Sequence, residues 1–246
     1  MRQTSAAWAP ITGPNGSNPL RGILDDLLDP AAFRLPGAPE LVVAATSVRT
    51  GKARLFHDAE ITVDVLLALV CLPQLFPSVT IDGESYWDGG YASNPPLWPL
   101  IEAGVPPDVL IVRSTPLERP GRPGSAAAIQ QRVNEITFGA ALRSELRSPA
   151  LAQRLLVGVP DVPPELARLR DARMHMIGAE TEFQALRGGS SQDPSWGFLS
   201  GMHDLGTQVM ERWLDTNLPL VGHRSTAELE RFADPQATGG RRRHAA

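Results

Sequence analysis

Cysteine, long apolar runs and any excess of one charge are all scarce in this 246-residue sequence. The single cysteine, Cys71, excludes an internal disulfide and suits a reducing compartment. It sits in apolar company (Val70, Leu72 and Pro73), which raises a thiol's pKa, so an inert core thiol is expected rather than a nucleophile. The longest apolar run, Val65 to Pro73, is far shorter than the roughly 20 residues a membrane-spanning helix needs. Met1-Arg2-Gln3-Thr4-Ser5 opens no continuous apolar stretch of the kind a secretory signal carries. A formal net charge of -4 gives no general attraction to nucleic acid or to an anionic surface. These absences describe a soluble, cytoplasmic protein with no nucleic-acid partner and no transmembrane segment. The histidines, His57, His175, His203, His223 and His244, are too scattered for a helical metal pair, so neither a metal nor another cofactor is expected.

What is present is enough apolar residue, 42%, to bury a core. Residues 1–20 are rich in Pro, Gly, Asn and Ser and read as an irregular segment. Arg21 to Asp29 is a short helix halted by Pro30. Leu41 to Val48 is almost continuously apolar and β-branched, the pattern of a strand covered on both faces in a parallel sheet. Thr62 is placed to cap a helix whose face is Val63, Leu66, Leu67 and Val70, ended by Pro73. Ser78 to Ile81, the turn Asp82-Gly83 and Ser85 to Trp87 predict a hairpin. Val109 to Val112 is a further buried strand, with Glu102 and Asp108 flanking a solvated loop before it. Ser125 opens a long helix with a core stripe of Ile129, Val133, Ile136 and Ala140. Arg173 to Ile177 predicts a short strand, and Ser195 to Leu214 another helix. Ser225 and Glu228 are spaced as the capping box of a last one. Strands alternating with helices predict an α/β layered fold with a mostly parallel central sheet flanked by helices. With no repeat and no clear linker, one domain is expected over residues 21–232, followed by a disordered basic tail at 233–246.

The chemistry concentrates in Ile81 to Leu100. Ser85-Tyr86-Trp87 runs straight into Asp88-Gly89-Gly90, a carboxylate at a strand end followed by two residues without Cβ, where a backbone or substrate can approach closely. Taken alone, Asp-Gly-Gly is also an ordinary turn. Around it, Trp87, Tyr91, Leu97 and Trp98 are candidates to line an acyl-chain channel, with core packing as the plainer reading of each.

Several separate segments together resemble the patatin-like phospholipase family, bacterial branch. They are Ala44 to Lys52, Cys71-Leu72-Pro73-Gln74-Leu75-Phe76-Pro77, Ile81-Asp82-Gly83, Tyr86 to Tyr91, Asn94-Pro95-Pro96-Leu97 and Arg132 to Phe138. The likeness extends more faintly through Gly222 to Phe232 and covers residues 17–232. It implies a patatin-like fold and a lipid acyl hydrolase, of phospholipase or esterase type, acting through a Ser–Asp dyad on a lipid or other acyl-ester substrate. In such a dyad the aspartate takes the serine proton directly and later returns it to the leaving group. Carried over by motif, that aspartate is Asp88, positioned by Gly89 and Gly90. The sequence departs from the family in one respect. No Gly-x-Ser-x-Gly occurs in it: Ser17, Ser125, Ser190 and Ser200 all lack the flanking glycines of a nucleophile elbow. The expectation is therefore the C-terminal two-thirds of such a domain, supplying the aspartate, lacking the serine and inactive alone. The alternative is a non-catalytic fragment or pseudoenzyme that binds lipid or protein. An unrelated hydrolase using Ser47 or Ser195 has no base in a recognisable motif to support it.

Overall fold

The computed structural model describes residues 18–103, 107–180, 182, 193 and 195–233. Nearly all of the expected irregular start and the expected basic tail lie outside them. Two compact units divide the chain, Met1–Pro95 and Pro96–Ala246. The boundary falls in Asn94-Pro95-Pro96, where two prolines withhold backbone donors.

The first unit opens with α1 (Leu20–Leu27), after which Pro30 starts a 3₁₀ turn capped by the Asp29 carboxylate, which accepts from the Ala31 N–H. Four strands follow: β1 (Val42–Ser47), β2 (Ala53–His57), β3 (Val79–Ile81) and β4 (Glu84–Asp88). They form one sheet in the order β2-β1-β4-β3, and every pair in it is antiparallel. β1 is buried along nearly its whole length, as its apolar run predicts. Its neighbours nevertheless run against it, because a continuous apolar run reports two covered faces and says nothing about strand direction. β2 was not foreseen; it returns from β1 through Thr50-Gly51, with Gly51 at φ 68°. The β3–β4 hairpin forms as predicted, with Asp82 and Gly83 at φ 52° and 80°, the two left-handed positions such a turn demands.

Over this sheet lies α2 (Val63–Leu69), capped by the Thr62 hydroxyl, which accepts from the Val65 N–H at 3.3 Å. Its buried residues are Val65, Leu67 and Ala68; of the expected face only Leu67 is buried, Val63 and Leu66 are half-buried and Val70 is exposed. The sheet contacts a face rotated from the one the spacing suggests. Phe56, Ile61, Val65 and Tyr86 make the centre of this unit's core.

The second unit carries the parallel pairing. Its elements are α3 (Trp98–Ala103), β5 (Asp108–Arg113), α4 (Ala126–Leu155), α5 (Pro164–Asp171), β6 (Arg173–Gly178), α6 (Trp196–Asn217) and α7 (Glu230–Ala233). β5 and β6 pair in parallel, Asp108 opposite Arg173 through Arg113 opposite Gly178. The α/β class thus holds, whereas the mostly parallel central sheet holds only for these two strands; the larger sheet is antiparallel.

Ser125 caps α4 as expected, accepting from the Ala128 N–H, but the helix buries a different stripe. Ile129, Val133, Ile136 and Ala140 are exposed, while Glu135, Gly139, Leu142, Leu146 and Pro149 face inward. Both stripes have helical spacing, so periodicity could not choose between them. The buried one begins on Glu135, a carboxylate made tolerable there by Arg119 at 2.7 Å and Arg132 at 3.2 Å. The last helix starts at Glu230, not at Ser225; the Ser225 hydroxyl instead accepts from the Met174 N–H of β6. Asp108 flanks the loop after α3 as expected, but its carboxylate does not solvate it. Asp108 opens β5, where its carboxylate accepts from Arg173, His175 and the Gly222 N–H.

Candidate active site

Asp88 is the last residue of β4, and its position is over-determined by backbone. The register sets it opposite Ala45 of β1. Its N–H donates to the Cys71 carbonyl at 2.9 Å, and its own carbonyl accepts from the Thr46 hydroxyl at 2.7 Å. Both strand and loop therefore hold the main chain, leaving the side chain to be aimed by the turn that follows.

That turn is the 3₁₀ turn Gly89–Tyr91, with Asp88 as its cap. One carboxylate oxygen, Oδ1, accepts from the Gly90 N–H at 2.7 Å; Oδ2 bonds to none of the described residues. Gly89 is required by close approach. A Cβ there would lie 2.1 Å from the Ala44 carbonyl oxygen, in backbone that cannot swing aside. Gly90 is buried and serves through its amide.

The electrostatics follow from this setting. Burial pushes the Asp88 carboxyl above its ordinary value, and the Gly90 hydrogen bond only partly offsets that. Its charge is felt nearby. The Cys71 thiol is raised mainly by burial and further by Asp88, and the Tyr91 phenol is raised by burial and by the same carboxylate. Cys71 is free and fully buried, as its apolar surroundings led one to expect, with its Sγ 3.0 Å from the Pro77 carbonyl. Tyr91 donates its hydroxyl to Gln74 Oε1 at 3.0 Å. A carboxylate with one oxygen pinned, the other open and its proton affinity raised can accept a proton from a hydroxyl brought to Oδ2.

The structure brings together Asp88, Gly89, Gly90 and Tyr91. Trp87 is half-buried, and strand alternation turns it to the face opposite its neighbour Asp88. Leu97 and Trp98 belong to the second unit. There Leu97 is spent in the core, 1% exposed, while Trp98 at the start of α3 is 44% exposed. Sequence reasoning missed the supports: Thr46, the Cys71 carbonyl and the Ala44 carbonyl that forbids a side chain at 89. All three lie in segments already singled out, but their roles depend on the Ala45–Asp88 register, which no local pattern displays. His175 is a satisfied histidine, 2% exposed, set between Asp108 at 2.9 Å and Thr226 at 3.1 Å. Among the described residues no group of His, Cys, Asp and Glu is arranged to hold a metal.

The family model described as Patatin-like phospholipase matches residues 4–101. The match includes the whole of the Asp88 site and covers less than half of the 246 residues. It stops short of Arg132 to Phe138 and of Gly222 to Phe232, whose likeness rests on the letters alone. No curated protein matches the chain. No helix among the described residues is long and apolar enough to cross a membrane.

Proposed function

We propose that Asp88 is the general base of a Ser–Asp acyl-ester hydrolase acting on lipid or a related acyl ester. The observation that carries this reading is the carboxylate itself. It stands at a strand end, raised in pKa by burial, with Oδ1 held by the Gly90 amide and Oδ2 left open, inside a stretch similar to patatin-like phospholipases. In the proposed step the serine hydroxyl gives its proton to Oδ2 as its oxygen attacks the ester carbonyl. The proton then passes to the leaving alcohol, and the reverse sequence with water releases the acid. A raised proton affinity makes Asp88 a better base than an exposed carboxylate.

The serine is not among these 246 residues in any Gly-x-Ser-x-Gly setting, so the chain by itself is proposed to be inactive. In a polypeptide that joins these residues to a serine elbow, hydrolysis of a short p-nitrophenyl ester is expected. Asp88→Asn should lower kcat by about a hundredfold to ten-thousandfold, the range that a positioned base supplies. Full activity in that variant would remove Asp88 from the mechanism. Turnover well above buffer by the 246-residue chain would remove the claim that it needs a serine from elsewhere. A second reading, a lipid- or protein-binding fragment without chemistry, is favoured by the missing elbow. It would be left standing if the serine-complete polypeptide were inert.

A further inference from the structure

Three arginines stand close together where α5 runs into β6, and two of them use the same fork of donors in the same way. The Nε and Nη2 of Arg170 donate to the two oxygens of Asp171 at 2.7 and 3.0 Å. Those of Arg173 donate to the two oxygens of Asp108 at 3.0 and 2.7 Å. Side-on pairing of this kind is how a guanidinium reads a carboxylate. Arg168 departs from the pattern. Its Nη1 donates to the Glu102 carbonyl near the end of α3, which ties the side chain across from α5. None of the described residues bonds its Nε or Nη2, so the fork is held in place and open.

Arg168 also lines a cavity of about 230 Å³ that lies wholly within the second unit. The inner wall is Ile101, Val109 and Ala172, all buried, and Leu100 and Ala167 stand nearer solvent. Among the described residues, the charged groups on the lining are Arg168 and Asp171, and Asp171 has both oxygens engaged by Arg170. An apolar hollow with one uncommitted cation on its lining suits an amphiphile with an anionic head.

We propose that this cavity binds a straight-chain monocarboxylate. The carboxylate takes the Nε–Nη2 fork of Arg168, and the hydrocarbon lies against Ile101, Val109 and Ala172. A phosphate head would also fit such a fork, but it carries more charge than the one open guanidinium answers. The carbonyl ends of α3 and α5 beside the fork disfavour that second negative charge. The volume limits the chain. At roughly 30 Å³ for a group the size of a water molecule, a cavity of about 230 Å³ takes about eight carbons. The site stands on the second unit alone and does not require Asp88 to be a base.

Calorimetric titration of the 246-residue chain with hexanoate, octanoate, decanoate and dodecanoate, each below its micelle concentration, tests this. The expected result is one molecule bound per chain. Affinity should rise about fourfold per added methylene, the ratio that burying one such group supplies, and level off once the chain exceeds about eight carbons. Arg168→Gln should weaken octanoate binding about tenfold or more, as loss of a charged hydrogen-bond donor does, and leave octanol binding unchanged. Ala167→Leu, which fills the cavity, should weaken both ligands with unchanged far-ultraviolet circular dichroism. Asp88→Asn should bind octanoate as the parent chain does, which keeps this result separate from the role of Asp88. Absence of saturable binding would overturn the proposal, as would affinity that climbs on through dodecanoate or octanoate binding unmoved by Arg168→Gln. Loss of binding in Asp88→Asn would place the acid at Asp88 and overturn it equally.

Discussion

At the scale of single residues, two aspartates at strand ends are tuned in opposite directions. Asp88 is raised by burial, against the Gly90 amide; Asp108 is lowered by Arg173 first, then by His175 and the Gly222 amide, against burial. The consequences for stability have opposite signs. The folded chain binds a proton at Asp88 more tightly than the unfolded chain does. Ionisation there costs stability at neutral pH, and the cost disappears once pH falls below the ordinary carboxylate range. Asp108 contributes stability above that range and loses it as pH falls through its depressed folded value. Asp88→Asn, which retains an acceptor for Gly90, should therefore raise the melting temperature at neutral pH, with the gain vanishing in acid. Asp108→Asn should lower it at neutral pH, with the deficit narrowing in acid. Melting curves of the three proteins across the acid range check both signs, and parallel behaviour of the variants would contradict the assignment. That a carboxylate stands at 88 before two glycines is plain from the letters. That Gly89 admits no side chain is not, because the obstacle is the Ala44 carbonyl, on another strand and far back along the chain.

At the scale of elements, caps and turns were legible and faces were not. Thr62, Ser125 and Asp82-Gly83 act through near neighbours in the chain, so local chemistry is sufficient to place them. Ser225 has the same chemistry and a suitable Glu228, yet a β6 amide claims its hydroxyl. The stripes of α4 make the same point in apolar terms. Ile136 is 49% exposed and Leu146 is fully buried among the second unit's core residues. Ile136→Ala is expected to change unfolding free energy by about 0.5 kcal/mol or less, whereas Leu146→Ala should cost about 2–5 kcal/mol. Urea titrations of both variants measure the contrast, and comparable losses would restore the exposed stripe to the core.

At the scale of the whole chain, burial is uneven. Neither α1 nor the 22-residue α6 has a single buried residue, while β1 and the inner face of α4 are shielded. Opening energies should follow that division. In native-state hydrogen exchange, amides of α1 and α6 should exchange well before those of β1 and the middle of α4. Slow exchange throughout α6 would mean that its surface is covered in solution, and would break the link between burial and opening drawn here.

By itself the sequence determined the class of the fold, most element positions, the turn and cap chemistry and the carboxylate with its two glycines. These follow from properties a residue shares with near neighbours: period, propensity and side-chain reach. Only the tertiary structure decided that the main sheet runs antiparallel, which stripe of α4 turns inward, that Leu97 is core, and that Asp88 is held by Thr46 and Cys71. Each of those turns on register or on competition between equivalent faces, and both are settled by what packs from distant parts of the chain.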